Sequence, residues 1–239
     1  MVNSYYAAQS VSAYAINSST GALTEISGSP FPTGAYSYSI AISPNGKFAF
    51  VANQWIDRVS AFTIDSLTGA LTSVSGSPFP SGTGPSSVAI DPAGKFAYIA
   101  NVNSACVSAF KINSTTGALT AVSGSPFPAG YSPCFVVVDP SGKFVYVANY
   151  GANNVSAYAI NSSTGALTAI SSSPFPAGTT PVSIAFDPTG KFVYVANADS
   201  NNVSAYTLNS TSGVLTALAG SPFGVGARPV SIATLKIIR

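Results

Sequence analysis

Short runs in which apolar or β-branched residues alternate with small polar ones recur along the whole chain, and no stretch carries the 3.6-residue period of an amphipathic helix. Within residues 181–223 the runs Val182–Phe186, Phe192–Ala196, Val203–Leu208 and Val214–Leu218 read as four strands, lettered A to D. Asp187-Pro188-Thr189-Gly190 separates A from B. Asp caps such a turn, Pro presets φ at its second position, and Gly follows, so the two strands form a tight hairpin. Asn209-Ser210-Thr211-Ser212-Gly213 separates C from D, polar again and ending on a residue able to take positive φ. The proline in Ser221-Pro222-Phe223 places D on the outer edge of the sheet, where no ladder donor is needed.

The same text returns with a fixed period. Val-Ser-Ala followed by Tyr or Phe starts at Val11, Val59, Val107, Val155 and Val203, each 48 residues after the last, without a gap. Gly21, Gly69, Gly117, Gly165 and Gly213 keep that spacing, as do Phe31, Phe79, Phe127, Phe175 and Phe223. The copies fill residues 1–239, so a single domain with no linker is expected. Four antiparallel strands per unit predict an all-β, five-bladed β-propeller, each unit one blade. The Phe31 series and the series Tyr14, Phe62, Phe110, Tyr158 and Tyr206 are read as blade-to-blade packing rather than as a ladder of ligand contacts. Residue 1 aligns with Ala49 inside strand B, and residue 239 with Lys191 just past strand A. The strand from Val230 onward is therefore expected to sit inside the N-terminal strands B, C and D and close the ring within one chain. Leu235-Lys236-Ile237-Ile238 replaces the A–B turn, which predicts that this end is a genuine terminus.

Phe144-Val145-Tyr146-Val147-Ala148-Asn149 and the segment Asp187–Asn197 resemble the YVTN-repeat, lactonase-like β-propellers, which include the propeller-type 6-phosphogluconolactonases. The resemblance covers essentially the whole chain. It implies a propeller and, for relatives, a polar site near the central channel that holds a phosphosugar and activates water. That family usually has seven blades and this chain has five copies, which leaves open a truncated, engineered or reconstructed member or a natural five-bladed form.

Composition narrows the chemistry. Nine Lys or Arg and seven Asp or Glu give a net charge of +2, with no basic run to attract nucleic acid or an anionic membrane surface. The absence of His removes the commonest general base and zinc ligand, and neither a metal nor a cofactor is expected. No apolar stretch reaches the length of a membrane span, and MVNSYYAAQS has no signal-peptide pattern, which still permits a secreted or periplasmic mature form. Cys106 and Cys134 lack metal-ligand spacing and read as small buried hydrophobes, with a disulfide as the alternative. The sequons at Asn17, Asn113, Asn154, Asn161, Asn202 and Asn209 mostly repeat turn and strand text and carry little weight.

Most charges belong to the repeat. Lys47, Lys95, Lys143 and Lys191, like Asp91, Asp139 and Asp187, sit in equivalent A–B turns, and Asn53, Asn101, Asn149 and Asn197 end strand B, so all read as structural. The copies diverge in the B–C and D–A loops, which share one face if strands alternate in direction. Candidate ligand-binding residues on that face are Trp55, Asp57, Arg58, Tyr36, Tyr38, Tyr131, Tyr150, Asp199 and Arg228. Asp57 beside Arg58 is as well read as a solvated ion pair as an acid–base group, and Glu25 lies beside strand D. No nucleophile, base and orienting group can be named together. The reading is a monomeric, non-catalytic scaffold that binds a glycan, peptide or small molecule on the loop face, with a sugar-lactone hydrolase as the alternative.

Overall fold

The computed structural model describes residues 2–3 and 9–235. Among them every regular element is a strand, and no helix is long and apolar enough to cross a membrane. The unit at 181–224 runs as expected, with A at Pro181–Phe186, B at Phe192–Asn197, C at Asn202–Leu208 and D at Leu215–Ala217, paired antiparallel in that order. The sheets starting at Ser37, Pro85 and Pro133 repeat it, and the N-terminal unit contributes Val2–Asn3, Ser10–Ser12, Tyr14–Ile16 and Leu23–Glu25. The outer edge differs in detail from the single strand expected. Leu215–Ala217 covers the end of strand C, while Phe223–Gly224 pairs with Asn202 and Val203 at its start. Pro80, Pro128 and Pro176 sit in the equivalent second segment, on the edge where a missing N–H costs nothing.

The A–B turns work as their composition predicts. Asp139 Oδ1 accepts the N–H groups of Lys143 at 2.8 Å and Phe144 at 2.7 Å, and its Oδ2 accepts that of Ser141 at 3.0 Å. In the C–D turns Asn161 Oδ1 accepts from the N–H groups of Ser163 and Thr164. Gly165 there takes φ 79°, and a Cβ on it would lie 2.3 Å from the ring of Phe96 in the preceding sheet. Both the backbone conformation and the close approach require glycine.

Sheets stack in series through four buried clusters. Between the units at 85–128 and 133–176, Phe96, Tyr98, Val107 and Val122 meet Val136, Val145, Val147, Tyr158 and Leu167. Burying each large apolar side chain stabilises by roughly 1.5–3 kcal/mol, so these faces dominate the assembly. Phe62, Phe110, Tyr158 and Tyr206 are 4–5% exposed, which leaves no surface for a ligand and bears out their packing role. Tyr98 and Tyr146 send their hydroxyls to the carbonyls of Gly165 and Gly213, at 3.1 and 2.6 Å, in the next unit. Burial, and then the Asp91 or Asp139 charge, pushes both phenols well above the usual range.

Closure within the chain is corrected by the structure. By the repeat period it would set Ile232 opposite Asn3 and Ala233 opposite Val2, as Ile40 faces Val51 and Ala41 faces Phe50. Among the described residues Val2–Asn3 pairs only with Val11 and Ser12, and residues 231–235 join no ladder. The tail instead follows the preceding unit. Ile232 N–H donates to Ser183 Oγ at 3.4 Å, repeating the contacts of Val88 with Ser39 and Val136 with Ser87. Each inner strand leans on the one before it, so the tail goes where its neighbour directs it rather than across to the first sheet. Lys236–Ile238 lie outside the described residues.

Candidate functional site

The register sets the start of strand A beside the end of strand B, Ser37 opposite Asn53, so the B–C and D–A loops do share one face. At that end strand A carries a bulge. Pro85 pairs with Asn101 and Ser87 with Ala100, leaving Ser86 as the extra residue, and Tyr38, Cys134 and Val182 are the extra residues of the other inner strands. A bulge re-aims its side chain. Here Tyr38, Ser86, Cys134, Val182 and the equivalent Val230 line one central cavity of about 390 Å³, together with Ser39, Ser87, Phe135 and Tyr150.

Two bulge residues also tie the inner strands together. Ser86 Oγ donates to the carbonyls of Ala100 and Pro133, both at 3.2 Å, and Cys134 Sγ occupies the same role toward Ala148 at 3.6 Å and Pro181 at 3.3 Å. Burial pushes the Cys134 thiol up to about 11, against the lowering effect of backbone hydrogen bonds from Tyr150 and its own N–H. It is a neutral thiol at physiological pH. Cys106 is buried in another sheet and both cysteines are free, so the disulfide alternative is not realised.

Of the predicted site residues only Tyr38 and Tyr150, 47% and 44% exposed, reach this cavity. Trp55 stacks on Tyr36 with ring centroids 4.1 Å apart and planes 10° apart, over a separate open cleft of about 450 Å³ that Asp57 also lines. Asp57 belongs to a structural series. It takes φ 56°, like Asn153 at 56° and Asn201 at 52°, and its Oδ1 accepts the N–H of Gly84 at 2.8 Å. Asn153 and Asn201 accept those of Thr180 and Arg228 in the same way, so this position clamps the neighbouring D–A loop. Arg58 turns from Asp57 and donates to the Pro78 carbonyl at 3.1 Å, so no ion pair joins the two. Arg228 instead meets Asp199 at 3.2 Å, both side chains largely exposed, a pair contributing about 0–1 kcal/mol. Tyr131 is 72% exposed and stands outside the cavity. Glu25 accepts a hydrogen bond from Ser29 at the outer edge.

The strand-B asparagines are fully buried and structural. Asn101 Nδ2 donates to Ser108 at 2.9 Å while its Oδ1 accepts from Ser81 at 2.8 Å. In Asn149 and Asn197 the amide nitrogen is satisfied by Ser156 or Ser204, and Oδ1 has no partner. Among the described residues no three His, Cys, Asp or Glu side chains come together as a metal site.

Residues 7–137 and 125–232 match the sequence model of the lactonase, seven-bladed β-propeller family. The chain belongs to that family. A candidate 6-phosphogluconolactonase from Bacteroides uniformis is 23% identical to this lactonase-family chain and superposes with a TM-score of 0.80, over 92% of this chain and 66% of that one. A periplasmic gluconolactonase from Pseudomonas aeruginosa is 22% identical, with a TM-score of 0.76, over 92% and 64%. A Lactobacillus plantarum protein is 25% identical, with a TM-score of 0.78, over 92% and 66%. The lactonase-family chain thus spans just under two thirds of the first of these proteins. None of the curated proteins matches its sequence. The bulge residues escaped sequence reasoning as a set, although one signal was available. Positions 38, 86, 134, 182 and 230 read Tyr, Ser, Cys, Val and Val inside otherwise near-identical copies.

Proposed function

We propose that this five-copy chain is a sugar-lactone hydrolase of the family type, with its substrate seated in the central cavity. Membership of the lactonase family over residues 7–232 carries this reading. The cavity supports it in shape, because Tyr38, Tyr150 and Phe135 offer flat walls for the C–H faces of a sugar ring. Ser39 and Ser87 each accept a backbone N–H, so their own protons are left to donate to the oxyanion that forms when water attacks the lactone carbonyl. Among the described residues no carboxylate or imidazole lines the cavity, and the Cys134 thiol is neutral, so the attacking species is hydroxide from solvent rather than water deprotonated by a side chain. Catalysis by oxyanion stabilisation alone predicts a rate that climbs about tenfold per pH unit near neutrality with no acidic limb. Hydrolysis of a gluconolactone in excess of the spontaneous reaction, followed across pH, tests the reading. Ser87→Ala should lower the excess rate by about a hundredfold, the scale of one oxyanion donor. Absence of any excess rate sinks it.

That no carboxylate or imidazole lines the cavity among the described residues favours a second reading, a scaffold that holds a sugar without turnover. Calorimetric binding of gluconate or the lactone, with no excess hydrolysis, would select it. The Trp55–Tyr36 stack, with Trp55 68% exposed, is then the next surface to probe by Trp55→Ala.

A further inference from the structure

Trp55 breaks the repeat on the loop face. Its equivalents are Asn103, Gly151 and Asp199, and Tyr36, on which it stacks, is Gly84, Ser132 and Thr180 in the later copies. The two loops are already held by backbone: Gln54 N–H donates to the Tyr36 carbonyl at 2.8 Å, as Val102 does to Gly84, Tyr150 to Ser132 and Ala198 to Thr180. Where the side chains meet in the copy that holds Asp199, a single hydrogen bond from Thr180 Oγ1 to Asp199 Oδ2 at 2.7 Å suffices. An aromatic pair is thus not needed to join the loops. The backbone bond serves here as a mount, which sets the indole against the Tyr36 ring and leaves Trp55 68% exposed. Stacking on Tyr36 orders the indole before any ligand arrives, so little conformational entropy is lost on binding.

The cleft of about 450 Å³ beside it is lined by Trp55, Gln54, Asp57, Thr83 and Asn103 and not by Tyr36, so it meets the surface of the indole that Tyr36 leaves uncovered. Its rim is polar and unspent. The side chains of Gln54, Thr83 and Asn103 make no hydrogen bond to the described residues, and Asp57, whose Oδ1 holds the Gly84 N–H, keeps Oδ2 as an acceptor. Amides that both donate and accept, a hydroxyl and a carboxylate oxygen around one flat apolar plate suit a sugar ring, whose C–H face stacks while its hydroxyls are hydrogen-bonded. Among the described residues Asp57 is the only charged one lining the cleft, since Arg58 turns to the Pro78 carbonyl, and this disfavours phosphate and carboxylate groups. We propose that the cleft is a binding site for a neutral pyranose ring, separate from the central cavity, with which it shares no lining residue. The site stands whether or not the cavity turns over a lactone.

Trp55 is the only tryptophan of the chain, so indole fluorescence reports this cleft and no other. Titration of the full chain with cellobiose and with lactose should shift the emission saturably to the blue with at least one of them, as the sugar displaces water from the indole, while glucuronate should leave it unchanged. Asp57→Asn should keep the fold, because Asn153 and Asn201 make the same clamp at a similar positive φ, and should weaken binding about tenfold by exchanging a charged acceptor for a neutral one. Trp55→Ala, followed by calorimetry, should weaken it by about tenfold or more. No saturable shift with either sugar overturns the proposal, as does binding that neither substitution weakens. A shift produced by glucuronate, or by a proline-rich peptide in place of the sugars, would give the plate another occupant and overturn it equally.

Discussion

Ala177→Ser should stabilise the protein, and the reason lies in one buried oxygen. In the unit at 85–128, Ser81 Oγ donates to Asn101 Oδ1 at 2.8 Å, and in the unit before it Ser37 serves Asn53 at 3.0 Å. The position of Ser81 is Ala129 and Ala177 in the next two copies, and that of Ser37 is proline in both. Asn149 and Asn197 therefore keep a buried Oδ1 with no donor. The surroundings already match: Gly178 N–H donates to Ser204 at 3.2 Å as Gly82 N–H donates to Ser108 at 3.1 Å, so a serine at 177 would arrive where Ser81 does. An unpaired buried acceptor costs about 1–3 kcal/mol, and a new neutral hydrogen bond is worth about 0.5–1.5 kcal/mol net, so a gain near 1 kcal/mol is expected. For a chain of this length that raises the melting temperature by about 2–4 °C. Urea unfolding should give a higher midpoint at unchanged slope. Ala129→Ser should behave alike and add to it, since the two sites lie in different sheets. Ser81→Ala should lose a comparable amount. If Ala177→Ser is neutral while Ser81→Ala destabilises, water already satisfies Oδ1 and the reasoning fails.

Three further outcomes are expected. Gly165→Ala should cost roughly 2–4 kcal/mol in chemical denaturation through positive φ and collision with Phe96, whereas Gly21→Ala, with φ 72° and open space around it, should cost about 1 kcal/mol; equal losses would exclude the packing part. Burial alone would raise the Asp187 carboxyl, but hydrogen bonds from the Thr189 hydroxyl and the N–H groups of Phe192, Thr189 and Lys191 hold it below the ordinary carboxylate range. Its contribution is thus present above that range and lost as pH falls through the lowered native value. Acid unfolding of Asp187→Asn should accordingly show a shallower pH dependence than the parent. With its thiol near 11, Cys134 should react with a disulfide reagent at pH 8 at roughly a thousandth of the rate seen near pH 11, and at the ordinary rate once the chain is unfolded.

The hairpins and outer edges were legible because turn chemistry and alternation are local properties: Asp139 and Asn161 do what their neighbours in sequence require. The packing of Phe110 and Tyr158 was legible for another reason, since a residue repeated in every copy must do something common to every blade. The bulge was not legible. An extra residue in a ladder leaves composition and period unchanged, so Ser86 and Cys134 looked like ordinary strand positions. The clamp that Asp57 makes on the neighbouring loop was not legible either, because its charge drew attention while the contact depends on a positive φ that Asn153 takes as well. Ring closure failed for a deeper reason. Strand phase says which segments could pair, but among the described residues the tail follows the neighbouring inner strand through Ser183 and does not pair with Val2–Asn3.

The copies are so alike that Phe-Val-Tyr-Val-Ala-Asn is strand B at both 144–149 and 192–197. A strand A emerging during folding could ladder to either with nearly the same hydrogen bonds and side-chain neighbours, so the contacts themselves do not say which partner is correct. Connection length does: five residues, 187–191, separate Phe186 from its own strand B, whereas Val138 would have to reach past 53 residues to find Phe192. Loop closure disfavours the longer span by about 2 kcal/mol. The Asp-capped turn is then the chain's proofreader. Weakening it should raise the fraction of chains trapped in mispaired states without changing a single core residue.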